Sequence, residues 1–178
     1  MKLRPHQAKG RIVSRISRAD YFFDGKPDDE HAGPVEFEFT DGSTLQINIE
    51  PDGNSVRYSW LPIRFPDPAR GEEGWKRVVL TDSEPYSVLI GQQVTAVDVL
   101  RFRSVGEGIS WISTSVPAGY GFKFGNGHTL AYFNCWDDAK IVLDDDPWQL
   151  RDEYGLEDGY AWKSGNVFDV ASSRWPIW

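Results

Sequence analysis

Few side chains in this 178-residue chain have the types and spacings that carry chemistry. The three histidines, His6, His31 and His128, lie far apart, and none has a partner at metal-ligand spacing. His128 directly follows Asn126-Gly127, which reads as an exposed turn position rather than a general base. The one cysteine, Cys135, has Asp137 and Asp138 close by in sequence. Carboxylates raise a thiol pKa, so Cys135 reads as a small, partly buried apolar side chain and not as a nucleophile. G-x-S-x-G, the Walker loop and H-E-x-x-H do not occur, which leaves the serine-hydrolase, P-loop and zincin readings without an anchor. Asp144-Asp145-Asp146 and the stretch Asp24 to Glu30 lack the alternating ligands and central glycine of a calcium loop. The glycine-rich run Gly119 to Gly127 alternates as a strand does and lacks the order of a phosphate-binding loop. The expectation is a protein with no catalytic residues, no metal and no cofactor, and so not an enzyme.

The elements that would hold any site follow from internal repetition. Residues 10–16, G-R-I-V-S-R-I, match residues 91–97, G-Q-Q-V-T-A-V, as G-x-x-V-x-x-(I/V). Further on, Phe37 to Ile47 matches Phe122 to Tyr132 as F-x-F-x-(D/N)-G-x-T-L-x-(I/Y). Apolar alternation on either side of Asp-Gly or Asn-Gly predicts a β-hairpin with a type I′ turn. Phe37, Phe39, Leu45 and Ile47 should line one face of the first hairpin, and Phe122, Phe124, Leu130 and Tyr132 one face of the second. Val13 with Ile16, and Val94 with Val97, mark a preceding strand in each copy. Each unit then needs a partner layer, so the two should cover one another or share a sheet.

The predicted fold is mainly β, of α+β type: two duplicated antiparallel β-meander units, about 10–50 and 91–143, packed as one domain over 1–178. The connector 51–77 is rich in Pro, Gly and charge and reads as loop, as does the excursion 24–34 within the first unit. Another interruption, 104–117, falls in the second. Lys140 to Leu143 reads as a short strand. In the acidic region 144–178, Asp146 as N-cap, Pro147 in the first turn and Gly155 as stop predict one short helix.

Charge is the other signal. The net charge is −8, and nine acids between Asp137 and Asp158 against Lys140 and Arg151 place −7 of it in that segment. Such a surface repels phosphate backbones and attracts basic proteins, which disfavours direct nucleic-acid binding. The single Cys excludes an intramolecular disulfide and suits a reducing cytoplasm. No apolar stretch approaches the roughly 20 residues that span a bilayer, and no signal-peptide core follows the basic start. Trp136 and Trp148 sit among the acids, a composition suited to an interface anchor. The candidate partner-binding residues are Trp136, Asp137, Asp138, Asp144, Asp145, Asp146, Trp148, Asp152 and Glu153.

The duplicated pattern, a Gly-led strand followed by F-x-F-x-(D/N)-G-x-T-L, resembles strand patterns in small acidic bacterial proteins, several of them immunity proteins of polymorphic or contact-delivered toxin systems. The resemblance covers residues 10–50 and 91–143. It implies a cytoplasmic immunity or inhibitor protein, a monomer or small homo-oligomer, that neutralises a cognate toxin without catalysis of its own. The charge pattern points the same way, toward a basic toxin domain of the kind that acts on nucleic acid. The competing reading is a β-rich enzyme or small-ligand module with its site in the connector, using Trp60, Trp75, Glu72 and Glu73. A pocket holding a carboxylate of shifted pKa would favour that second reading.

Overall fold

The computed structural model describes residues 4–50, 55–64, 73–105, 113–135, 138–145 and 160–164. Alternating apolar residues form ten strands: β1 Val13–Phe23, β2 Lys26–Phe39, β3 Thr44–Ile49, β4 Val56–Ser59, β5 Gly74–Val79, β6 Val94–Val105, β7 Ser113–Phe124, β8 Thr129–Cys135, β9 Asp138–Leu143 and β10 Tyr160–Ser164. They make two antiparallel five-stranded sheets, ordered β4-β3-β2-β1-β5 and β10-β6-β7-β8-β9. Read from its other edge, the second order repeats the first. The expected mainly-β fold is therefore what forms. The helix expected from Asp146 to Gly155 lies outside the described residues.

The duplication extends to individual hydrogen bonds. Val13 pairs with Phe39 and Ile16 with Phe37 in one copy, and Val94 with Phe124 and Val97 with Phe122 in the other. In both, the first strand carries one extra residue at the same place, Ser14 or Thr95, a bulge that strengthens local twist. Where the copies meet they bond reciprocally. The Gly10 N–H donates to the Val94 carbonyl (2.8 Å) and the Gly91 N–H to that of Val13 (2.9 Å). The Val13 N–H donates to Gln92 and the Val94 N–H to Arg11, both at 2.9 Å. A 3₁₀ turn precedes each junction, Pro5–Ala8 and Tyr86–Leu89, and each drives its last residue, Ala8 or Leu89, into the core.

All eight residues expected on the hairpin faces are buried, as are Val13, Ile16, Val94 and Val97 of the preceding strands. They belong to one core cluster shared by both sheets, in which the repeat-equivalent rings of Phe37 and Phe122 meet with centroids 4.4 Å apart. The copies thus cover one another as facing layers. Burying apolar faces of this kind contributes roughly 25 cal/mol per Å² removed from water, which is why neither sheet is complete without the other.

Three expectations are corrected. The Asp41-Gly42 turn is not type I′: only Gly42 has a positive φ (79°), and the Phe39 carbonyl accepts from the Gly42 N–H (2.9 Å) while the Phe39 N–H donates to Ser43 (3.0 Å). This is a three-residue loop with glycine as its left-handed residue, and Gly127 (φ 91°) does the same in the second copy. Second, the excursion 24–34 is not a loop. Asp24 and Gly25 both have positive φ, 51° and 73°, and close a two-residue turn between β1 and β2 with Phe23 opposite Lys26. Third, the connector supplies β4 and most of β5, so each unit is five strands rather than three.

Candidate functional site

The predicted acidic site resolves into separate places. Trp136, Asp137, Asp146, Trp148, Asp152 and Glu153 lie outside the described residues. Asp138 opens β9 opposite Cys135, whereas Asp144 and Asp145 follow its other end, beyond Leu143 opposite Leu130. At about 3.3 Å per residue the two ends are ~20 Å apart. Asp145 is exposed. Asp144 is committed to the fold: its Oδ1 accepts from the Thr129 N–H (2.8 Å), its Oδ2 meets His128 Nδ1 (2.5 Å), and its own N–H donates to Thr129 (2.7 Å). It adopts a left-handed φ of 63°, a conformation aspartate tolerates better than most residues. His128 therefore closes a hairpin with Asp144.

Several charged residues of the first sheet are similarly engaged. Arg77 pairs with Glu36 and, at 3.4 Å, with Glu38; Arg15 also pairs with Glu38. Glu36 is 1% exposed, and the Ile63 N–H supplies a second donor to its carboxylate. A buried carboxylate needs such donors, because its desolvation is otherwise unrepaid. Arg11 bridges Asp41 and Ser43 Oγ (2.6 Å) and lies 5.0 Å from the Trp60 ring. Trp60 packs against Phe39 at the core edge, so it serves folding rather than recognition. Hydrogen bonds from the Ser43 side chain and backbone, followed by the Arg11 charge, hold the Asp41 carboxyl below its ordinary pKa. Among the described residues no three His, Cys, Asp or Glu side chains form a metal-binding group. No described helix is long and apolar enough to cross a membrane.

Among the described residues, large apolar side chains are exposed at several places, Leu61 and Ile90 among them, and one group lies on a strand extension. β1 and β2 run on to the Asp24-Gly25 turn, and β5 pairs alongside, Tyr21 opposite Trp75 and Phe22 opposite Gly74. Tyr21 and Trp75 make an edge-to-face contact, with centroids 5.6 Å apart and planes at 76°. By strand alternation Phe23 shares the face of Tyr21, and Phe22 lies on the opposite face, where the Lys76 ammonium sits 4.7 Å from its ring. Phe23 is 61% exposed and Trp75 39%. Gly33 lets this arm close up. A Cβ there would lie 2.5 Å from the Ala19 carbonyl oxygen and 2.6 Å from the Trp75 ring. Further acids, Asp28, Asp29 and Glu30, occupy β2 positions along the arm.

This aromatic arm was missed in the sequence because 24–34 was read as loop. The signal was present: Asp24-Gly25 follows Tyr21-Phe22-Phe23, an apolar run meeting a hairpin turn. Compared with protein families, curated proteins and solved structures, the chain matches none.

Proposed function

We propose that this chain is a non-enzymatic immunity or inhibitor protein that works in the cytoplasm by capturing a basic toxin domain. The observation that carries the reading is the exposed pair Phe23 and Trp75, with half-buried Tyr21 packed edge-to-face on Trp75, at the end of a three-stranded arm. Rigid aromatic side chains ordered in advance lose little entropy on binding and supply the central anchors of protein interfaces. Acids along β2 and the net charge of −8 supply the complementary field, which speeds encounter with a cationic partner. Aromatic anchors would set the lifetime of the complex and the acidic field its rate of formation. Asp145 lies at the other end of the molecule, beside the junction of the copies, and contributes only through the net charge.

The test uses a small basic protein that co-purifies with this chain from its native host, with binding kinetics followed at two salt concentrations. A Phe23→Ala/Trp75→Ala variant should dissociate at least about 30-fold faster, as loss of a ~2 kcal/mol anchor pair requires, while still unfolding cooperatively well above the assay temperature. Replacing Asp145 and Asp146 by Lys should slow association and weaken its salt dependence. Asp144 must be spared, because its loss would disturb the hairpin. Absence of any complex, or a complex indifferent to the aromatic pair, would sink the reading.

A further inference from the structure

A cleft of ≈ 170 Å³ opens between the N-terminal 3₁₀ turn and the second sheet, walled by Pro5, Tyr58, Val97, Val99 and Tyr120. Arg4, His6 and Arg101 also line it, and no Asp or Glu is among its described lining residues, in a chain whose net charge is −8. The volume slightly exceeds the roughly 150 Å³ of an engineered cavity that admits benzene.

The duplication explains why this place differs from its counterpart. The pairings Ile16 with Phe37 and Val97 with Phe122 make Arg18 equivalent to Val99, and Asp20 equivalent to Arg101. In the first copy Arg18 and the 3%-exposed carboxylate of Asp20 form an ion pair, with Arg18 Nη2 donating to Asp20 Oδ2 at 2.7 Å. The second copy replaces the cation by valine and the anion by arginine. Pro5 corresponds likewise to Tyr86 through the matching 3₁₀ turns, and Tyr86 packs its larger side chain against the core. Where the first copy carries a buried ion pair, the second thus carries a valine and an arginine on the wall of a cleft.

We propose that this cleft binds a small organic anion: one carboxylate carried on a single ring or a branched apolar body of similar size. The valines and Pro5 would take the apolar body. The Arg101 guanidinium would take the carboxylate, for which its planar fork is suited. A guanidinium has five N–H donors and can serve the protein and a ligand together. Burial, and then the neighbouring Tyr58, push the Tyr120 phenol up to about 12, so its hydroxyl stays neutral across the working pH range.

Benzoate, with benzamide as its uncharged isostere, tests the proposal by amide chemical-shift titration of the full chain. Benzoate should give saturable shifts concentrated at Val97, Val99 and Tyr120, and benzamide should bind at least about tenfold more weakly. Arg101→Gln should cost benzoate a similar factor. Pro5→Tyr, which copies the residue of the other half, should abolish benzoate binding while the rest of the spectrum stays folded. Should Arg101→Gln fail to fold, the benzamide ratio and Pro5→Tyr decide alone. No saturable shifts, equal affinity for benzamide, or benzoate binding unaffected by Pro5→Tyr would each overturn the proposal.

Discussion

Asp41 and Asp144 have the same type of side chain and similar turn settings, yet they serve the fold differently. Asp41 accepts from both the backbone and the hydroxyl of Ser43 (3.0 and 2.5 Å), so its folded pKa lies below its unfolded one. The stability this contributes is present above the unfolded pKa and lost as pH falls through the folded value. Ser43→Ala should therefore raise the Asp41 pKa toward an ordinary carboxylate, read by carbon-detected titration. Its destabilisation should be larger at neutral pH than once Asp41 is protonated in both proteins, the remainder being the lost Arg11 to Ser43 Oγ hydrogen bond. At Asp144 the backbone conformation matters as well as the hydrogen bonds. Asp144→Ala removes two acceptors and leaves a Cβ-bearing residue at a φ of 63°. It should destabilise by about 1–3 kcal/mol in urea unfolding, and Asp144→Gly by less, because glycine relieves the backbone part. Equal losses would show that the backbone conformation carries no cost.

At the scale of elements, two hairpins with the same turn chemistry present the same face to each other. Phe37 and Phe122 occupy equivalent strand positions and touch across the inter-sheet core. Truncating either to Ala should cost about 3–5 kcal/mol. Because they are in contact, the double variant should lose less than the sum, with a coupling on the order of 0.5–1.5 kcal/mol in a double-mutant cycle. Strict additivity would mean that the sheets do not pack through these rings. The hairpin faces were legible because period-two alternation flanking Asp-Gly or Asn-Gly is a local signal, and eight inward residues could be named from it. β4 and β5 were not legible. Each is short, and Val56–Ser59 and Gly74–Val79 lie among prolines, glycines and charges. Their strand character comes from partners, β3 and β1, that are distant in sequence.

For the whole molecule, the reciprocal bonds from Gly10 to Val94 and from Gly91 to Val13 tie the copies together at their starts. Their apolar faces then close on a single core. Residues 1–83 expressed alone should consequently show no cooperative thermal transition, and mixing with residues 84–178 should restore one, followed by near-ultraviolet circular dichroism. A cooperatively folding half would show that the layers are independent. At this scale the surface proposed above differs from the one the charge suggests. Sequence charge placed the working surface after the second repeat, whereas the Tyr21–Phe23–Trp75 face lies at the end of the first. Trp60 and Trp75 illustrate why: both stand in the same proline-rich connector, yet one packs against the core and the other is exposed on the arm. Exposure depends on what the rest of the chain leaves uncovered, and no local pattern encodes that.

The sequence by itself determined the duplication, the mainly-β class, the inward faces and the net charge, because each depends on residue type and short-range spacing. Only tertiary structure decided that the copies form two facing sheets of five strands. It alone divided the acids, tying Asp144 to a hairpin while leaving Asp145 exposed, and it alone brought Tyr21 beside Trp75. Those outcomes rest on pairings between strands far apart along the chain, such as β1 with β5 and β8 with β9. A side chain's surroundings in a sheet are set by its cross-strand neighbours, and in this chain those neighbours come from distant sequence.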